Sequence, residues 1–307
     1  MRRLRLLAVV VGFVAIVCLP SAQAPTAEFD VARIERATVL VMQTRIVDGV
    51  AQISCVSSGT IVSSDGLILT NAHGTLSNAN CPGDSLIVSL SVRSGEPPVP
   101  SFRATVAQTD AGLDIALLRV NAEVNGQPVL PENLSLPFVE LADSDSVRLD
   151  DTVFVVGYPG IGDDVVTTLQ ATVQGFNAEP RGGERSWLKV RGVGNDSDIP
   201  GTMSGGGAYN RAGLLIGIPA TSPLARTVDS ANCIQIQDTN RDSLINSSDA
   251  CVPLGGSINA LRPSNFGQVL LRSAQLGLAV KKPDGFASQS GLPPQVSRLF
   301  FAPSVNN

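Results

Sequence analysis

The chain has one histidine, His73, in 307 residues. A zinc site built on several imidazoles is excluded, and any proton transfer that needs an imidazole near neutral pH has a single candidate. No Cys-x-x-Cys spacing occurs either, which removes the commonest zinc and redox motifs. No apolar run reaches the ~20 residues that span a bilayer. Basic residues are outnumbered, 22 Lys and Arg against 27 Asp and Glu for a net charge of −5, so neither nucleic acid nor an anionic membrane is an expected partner. No Gly-x-Ser-x-Gly elbow lies between a strand and a helix, which argues against an α/β-hydrolase. There is no internal repeat, and nothing in the sequence speaks to oligomeric state.

What is present begins with an export signal. Met1-Arg2-Arg3-Leu4-Arg5 is basic, Leu6 to Leu19 is apolar, and Ala22-Gln23-Ala24 is a small-x-small cleavage site. Residues 1–24 are expected to be removed, delivering a secreted, periplasmic or cell-surface protein with no stable membrane insertion. Cleavage takes away three arginines and no acid, so the remaining chain is more acidic still. It also takes Cys18 and leaves Cys55, Cys81, Cys233 and Cys251. An even count in an exported chain suggests two disulfides, for which three connectivities exist; closeness in sequence favours Cys55–Cys81 and Cys233–Cys251.

From about Ala37 to Leu261 the sequence runs in short, β-branched, alternating segments broken by Gly, Asp, Asn and Pro. About eleven strands are expected, among them Ile53–Val62, Leu67–Thr70, Ile115–Val120, Thr152–Gly157, Leu214–Pro219 and Gly256–Leu261, with Ser64-Asp65-Gly66 as a hairpin turn. That number fills two small antiparallel barrels. Asn121 to Asp151 is rich in Pro, Asn and acids and is read as the linker, giving one barrel at about 37–147 and a second at about 148–276. Ser264 can cap a closing helix with Phe266, Val269, Leu270 and Ala274 at helical spacing and Gly277 as its stop. Residues 277–307 read as a flexible tail.

Three places carry chemistry. The segment Ser58 to His73 is a hairpin that delivers the histidine to a strand end through Thr70-Asn71-Ala72; Asp114 heads the apolar strand Ile115-Ala116-Leu117-Leu118; and Ser204 sits in the glycine-rich turn Thr202-Met203-Ser204-Gly205-Gly206-Gly207 before another strand. A buried aspartate demands a partner for its charge. A serine hydroxyl becomes a nucleophile when a base takes its proton, and a carboxylate fixes the tautomer of that base and stabilises its cation.

In the order His, Asp, Ser, these blocks resemble those of the trypsin-like serine peptidases, and especially the HtrA-like ones. The resemblance runs from about Val39 to Leu276 and includes the Gly157-Tyr158-Pro159-Gly160 turn. It implies an all-β fold of two six-stranded antiparallel barrels, chymotrypsin-like, with a short C-terminal helix, and a serine endopeptidase acting on proteins or peptides. His73, Asp114 and Ser204 would be the triad, and the amides of Thr202 and Ser204 the oxyanion donors. Two departures stand out. Thr202 occupies the place of the usual glycine two residues before the nucleophile, and Met203 replaces the aspartate that trypsin pairs with a freed N-terminus, so activation by that salt bridge is not expected. Asp196 and Asp198 lie near the distance where trypsin carries its selector for basic residues, whereas HtrA-like relatives prefer small aliphatic ones; the aliphatic reading is favoured. No PDZ-like domain is expected after the closing helix.

One stretch falls outside that pattern. Asp238, Asn240, Asp242, Asn246 and Asp249 stand at positions 1, 3, 5, 9 and 12 of an EF-hand-type loop, with the Leu244 carbonyl at position 7. It resembles the calcium loops of dockerins and of thrombospondin-like repeats, with Ser243 at the turn glycine. A structural calcium is expected in this 233–251 insert, beside the primary specificity pocket, and no cofactor for catalysis. The competing expectation is an inactive peptidase-like module that binds protein through calcium; dockerins carry two such loops and this chain one.

Overall fold

The computed structural model describes residues 29–78, 81–160, 165–179, 183–194, 198–221, 233–253 and 257–278. The signal segment 1–24, Asp196 and the tail beyond residue 278 lie outside the described residues.

Two closed six-stranded antiparallel barrels dominate. The first is formed by β1 Thr38–Val47, β2 Val50–Ile61, β3 Leu67–Thr70, β4 Ser85–Leu90, β5 Val99–Asp110 and β6 Ile115–Glu123, in the order β1-β2-β3-β6-β5-β4. The second is formed by β7 Thr152–Gly157, β8 Thr167–Glu179, β9 Gly183–Gly192, β10 Gly207–Tyr209, β11 Leu215–Ala220 and β14 Ala260–Pro263, in the order β10-β11-β14-β9-β8-β7. A two-stranded ribbon, β12 Cys233–Ile234 with β13 Val252–Pro253, stands apart.

Period-2 patterning accounts for the closure. In β1, Val39 and Val41 point into the barrel with Ile61, Leu67, Leu69, Leu86 and Leu117, while Leu40 and Met42 face the other way. Barrel 2 buries Val153, Val155, Ala171, Val173, Leu188, Val190, Ala208, Ile216 and Leu261. Each such Val, Leu or Ile side chain is worth about 1.5–3 kcal/mol when taken fully out of water. Closure also leaves no free sheet edge. Gly66 takes φ +89 in the β2–β3 turn, the left-handed conformation that this tight reversal needs.

Several boundaries differ from the sequence expectation. The last strand of barrel 2 spans Ala260–Pro263, the expected start at Gly256 lying outside the described residues, and β10 is a three-residue strand that Gly207 hides from any propensity reading. A seven-residue helix, α1 Val31–Ala37, precedes β1; the Asp30 carboxylate caps it by accepting from the Arg33 N–H at 3.0 Å. The closing helix, α2 Ser264–Gln275, starts on Ser264 with Pro263 at its N-cap, and the Ser264 hydroxyl donates to the Ala142 carbonyl. Val269, expected on its apolar face, is 60% exposed, because the buried stripe runs through Gly267 and Leu270. Gly277 ends the helix at φ +66 as expected. Between β6 and β7 the chain forms only two single-turn 3₁₀ helices, Pro131–Asn133 and Ser144–Ser146.

The barrels meet where the chemistry-bearing segments end. Ser58 N–H donates to the Ser204 carbonyl at 2.8 Å, and Tyr158 N–H donates to the Ser58 hydroxyl at 2.8 Å. Cys55–Cys81 and Cys233–Cys251 are the two disulfides, as closeness in sequence favours.

Candidate active site

β3 ends at Thr70, and the chain then turns: Leu76 N–H donates to the Ala72 carbonyl and the Thr75 hydroxyl to Ala72 and Asn71. The turn projects His73 toward Asp114, which sits at the head of β6. His73 Nδ1 lies 2.8 Å from Asp114 Oδ2 and 3.0 Å from Oδ1, and the His73 backbone N–H donates to Oδ1 at 2.9 Å. Asn71 Nδ2 donates to the Asp114 carbonyl at 2.9 Å. Asp114 is 2% exposed, so these bonds supply the partners that a buried carboxylate requires. With Nδ1 turned to the carboxylate, the neutral ring carries its proton there and keeps Nε2 as the free base.

Burial opposes a charge on His73, but the Asp114 carboxylate and its hydrogen bond outweigh it, and the imidazole pKa is raised above its ordinary value. A raised His pKa adds stability that is fully present below the unfolded-state value and is lost as pH climbs through the folded-state value. A general base must be neutral, so in the triad reading activity and this stability term would move in opposite directions. The acid limb of kcat/KM is expected above the ~6.5 of an unperturbed imidazole. A pH–rate profile whose acid limb lies at or below that value contradicts the Asp114 pairing.

Ser204 is 8% exposed and follows the 3₁₀ turn Gly201–Met203. Gly205 has φ +83, and a Cβ there would collide with the Ser58 carbonyl and the Thr70 hydroxyl and lie 3.2 Å from the Asn71 amide nitrogen. Only glycine allows this turn to press against the strand end that leads to His73. Among the described residues the Ser204 hydroxyl makes no hydrogen bond to His73. The turn itself is closed. Ser204 N–H donates to the Gly201 carbonyl at 3.1 Å, Met203 N–H to Pro200, Gly205 N–H to Pro219 and Gly206 N–H to Met203. Thr202, exposed, donates its hydroxyl to the Pro159 carbonyl. Met203 is fully buried in the apolar core of barrel 2.

A model of the trypsin-like peptidase domain matches residues 57–218, which hold all three of these side chains. The chain belongs to the trypsin-like peptidase family. The probable periplasmic serine endoprotease DegP-like of Pseudomonas putida (strain GB-1) is 31% identical over 161 residues, 52% of this chain and 28% of that protein. Serine protease HTRA3 of Homo sapiens is 29% identical over 164 residues, 52% of this chain and 32% of that protein. The chain therefore spans about a third or less of the length of these curated relatives. A solved HtrA-type protease AlgW variant with a tripeptide aligns at 22% identity and a TM-score of 0.49, covering 79% of this chain and 61% of that one.

In this trypsin-like peptidase the 238–249 loop contacts the first barrel. Its first residues dock on the turn that carries Asp114, with Asp238 N–H donating to the Ala111 carbonyl at 3.2 Å and Gln237 Nε2 to the Gly112 carbonyl at 2.7 Å. Within the loop, Asp238 accepts from the Asp242 and Ser243 amides, and Asp249 from those of Thr239, Asn240 and Asn246. Asp242 caps Leu244 N–H, and Asn246 caps Ser248 N–H. Ser243 has φ +72, the left-handed turn conformation of a loop glycine. Among the described residues no three His, Cys, Asp or Glu side chains converge as a metal-binding group. Burial raises the Asp238 pKa against its amide hydrogen bonds, with Asp249 and Asp242 adding to the rise.

Other features left no mark in the sequence. Arg262 on β14 is fully buried, stacks on Trp187 at 3.5 Å, and donates to Glu179 at 3.0 and 3.3 Å and to the Ser186 carbonyl at 2.9 Å. Before the Ser204 turn, Asp198 is exposed while Ile199, 1% exposed, pairs with Ile258.

Proposed function

We propose that this chain is an exported serine endopeptidase with a His73–Asp114–Ser204 triad, working through an acyl-enzyme. The observation that carries the reading is the His73 Nδ1–Asp114 pair at 2.8 Å, with Gly205 of the Ser204 turn packed against Thr70 and Asn71 just ahead of His73. In the reaction Ser204 Oγ attacks the peptide carbonyl carbon as its proton passes to His73 Nε2. The carbonyl oxygen becomes an oxyanion; collapse breaks the C–N bond, and His73 returns the proton to the leaving amine. Water, deprotonated by the same imidazole, then releases the acyl group. The Thr202 and Ser204 amides serve as oxyanion donors once the Gly201–Thr202 peptide rotates and frees the Ser204 N–H. The catalytic unit is residues 25–276, exported by the 1–24 signal, with 277–307 as a tail. Its substrates are proteins or peptides with small aliphatic residues at the cleavage site.

Replacing Thr202 by Gly removes the hydroxyl tie to Pro159 and the β-branched constraint on the turn. A single oxyanion donor is worth about 10²–10³ in kcat, so Thr202→Gly is expected to raise kcat at least several-fold. Unchanged or lower turnover would show that the closed turn does not restrain the enzyme.

Calcium at Asp238, Asn240, Asp242, the Leu244 carbonyl, Asn246 and Asp249 forms part of this reading. It is supported by the ligand spacing, by the left-handed turn at Ser243, and by the burial of Asp238 and Asp249. At a calcium concentration 100 times its Kd, binding to the folded state alone adds about 2.7 kcal/mol, so EDTA is expected to lower the melting temperature and turnover. Melting and turnover both indifferent to EDTA remove calcium from the account.

The closed turn, with threonine at the glycine position, favours a second reading: an inactive peptidase-like module that binds protein in a calcium-dependent way. A serine-directed fluorophosphonate separates the two. Labelling in calcium that Ser204→Ala abolishes establishes the peptidase chemistry; no labelling, with no cleavage of a peptide library, leaves the binding module.

A further inference from the structure

Asp114 has φ +52, a left-handed conformation that is uncommon for a residue with a Cβ and persists only where its surroundings over-determine it. Part of that determination comes from its own barrel, through Asn71 and the Asp114 N–H to the Ala111 carbonyl at 3.3 Å. The rest arrives from the other barrel's long loop. The Ala111 carbonyl also accepts from Asp238 N–H, the Gly112 carbonyl accepts from Gln237 Nε2, and the Arg241 side chain lies over Gly112.

Gln237 joins this turn to something rigid. It is 2% exposed, and the same Nε2 that holds Gly112 at 2.7 Å stands 3.5 Å from Glu179 Oε1. Glu179 is in turn fixed by Arg262 and by the Trp187 indole N–H. A continuous line of hydrogen bonds thus runs from the core of barrel 2 to the turn preceding Asp114.

We propose that Gln237 is a positioning residue for the His73–Asp114 pair: through its amide, barrel 2 holds the Ala111–Gly112 turn and with it the backbone conformation of Asp114. The proposal rests on the triad reading above. Loss of the amide lets the turn relax, tilts the Asp114 carboxylate away from Nδ1 and weakens the interaction that favours the imidazolium. The other charged groups around the pair are Asp110 and Arg262, with Asp238 and Arg241 on the docked loop and Glu179 behind Arg262. Of these only Glu179 loses a contact when Gln237 changes, the 3.5 Å one to Nε2, and it keeps its bonds to Arg262 and Trp187.

His73 is the only histidine, so its ring C–H signals report its titration by NMR in the full chain without assignment. At fixed calcium, Gln237→Met fills the same space without a donor. Expected are a melting temperature within a few degrees of wild type, a His73 midpoint moved to lower pH, and kcat reduced by up to about a hundredfold with KM little changed. Gln237→Asn, which keeps the amide but falls short of Gly112, is expected to give the same direction. An unchanged His73 midpoint in folded variants overturns the proposal. So does failure of both variants to fold, which makes Gln237 a structural residue. Because the titration needs no turnover, a wild type that neither labels nor cleaves refutes the peptidase reading separately.

Discussion

Asp114→Asn is expected to lower kcat about 10⁴-fold while leaving KM and the fold close to wild type. Asparagine keeps an oxygen to accept the His73 backbone N–H, now 2.9 Å from Oδ1, and it fits the same buried site. What it cannot do is accept from Nδ1–H with both oxygens or stabilise the imidazolium. With an amide NH₂ facing the ring, Nδ1 becomes an acceptor, the proton moves to Nε2, and the base that Ser204 needs is gone. Single-turnover kinetics on a cleaved peptide read the loss directly. A reduction of less than about tenfold means that Asp114 is a turn residue; Asp110, the nearest substitute in sequence, already spends Oδ1 on the Leu113 N–H at 3.0 Å. The variant also tests the pH argument, since the source of the raised His73 pKa is removed with the charge.

Glu179→Ala is expected to destabilise the fold by about 3 kcal/mol, because it strands the guanidinium of Arg262 in the interior. Arg262 is fully buried, and burial opposes its charge more than Glu179 restores it. Its contacts with the Ser186 carbonyl and the Trp187 ring survive the substitution, and Glu179 is 20% exposed, which places the effect at the lower end of the range for broken buried pairs. In a chain of this size the melting temperature should fall by roughly 6–12 °C. Trp187 is the only tryptophan and loses the partner of its indole N–H, so its fluorescence should change in the folded variant as well. Replacing Glu179 and Arg262 together by apolar residues should recover much of the loss, since no unpaired charge then remains. A double variant as unstable as Glu179→Ala points to packing at Trp187 instead.

The legible part of this protein is the part with local causes. Alternation and turn residues mark strands such as Leu67–Thr70 and Thr152–Gly157, because a half-buried strand repeats every two residues and a reversal needs glycine or a short polar side chain. The triad candidates were legible for a related reason: one histidine, one aspartate at the head of an apolar strand and one serine in a glycine turn leave few alternatives. β10 is not legible because Gly207 has no side chain to betray a buried strand, nor α1 because seven residues give too few turns for a helical period.

What only the tertiary structure decides is non-local. The pairing of Glu179 with Arg262 joins residues 83 apart in sequence, and that of Gln237 with Gly112 joins residues 125 apart. No pattern of polarity predicts such partners, because the closure of each barrel and the path of a long loop bring them together. The same holds for the direction of a peptide plane. The sequence names Thr202 and Ser204 as neighbours of a glycine turn; the fold determines that the Ser204 N–H points at the Gly201 carbonyl and that Thr202 is tied to Pro159. Chemistry that depends on residue type is thus written in the chain itself, whereas the aim of that chemistry depends on contacts between the two barrels.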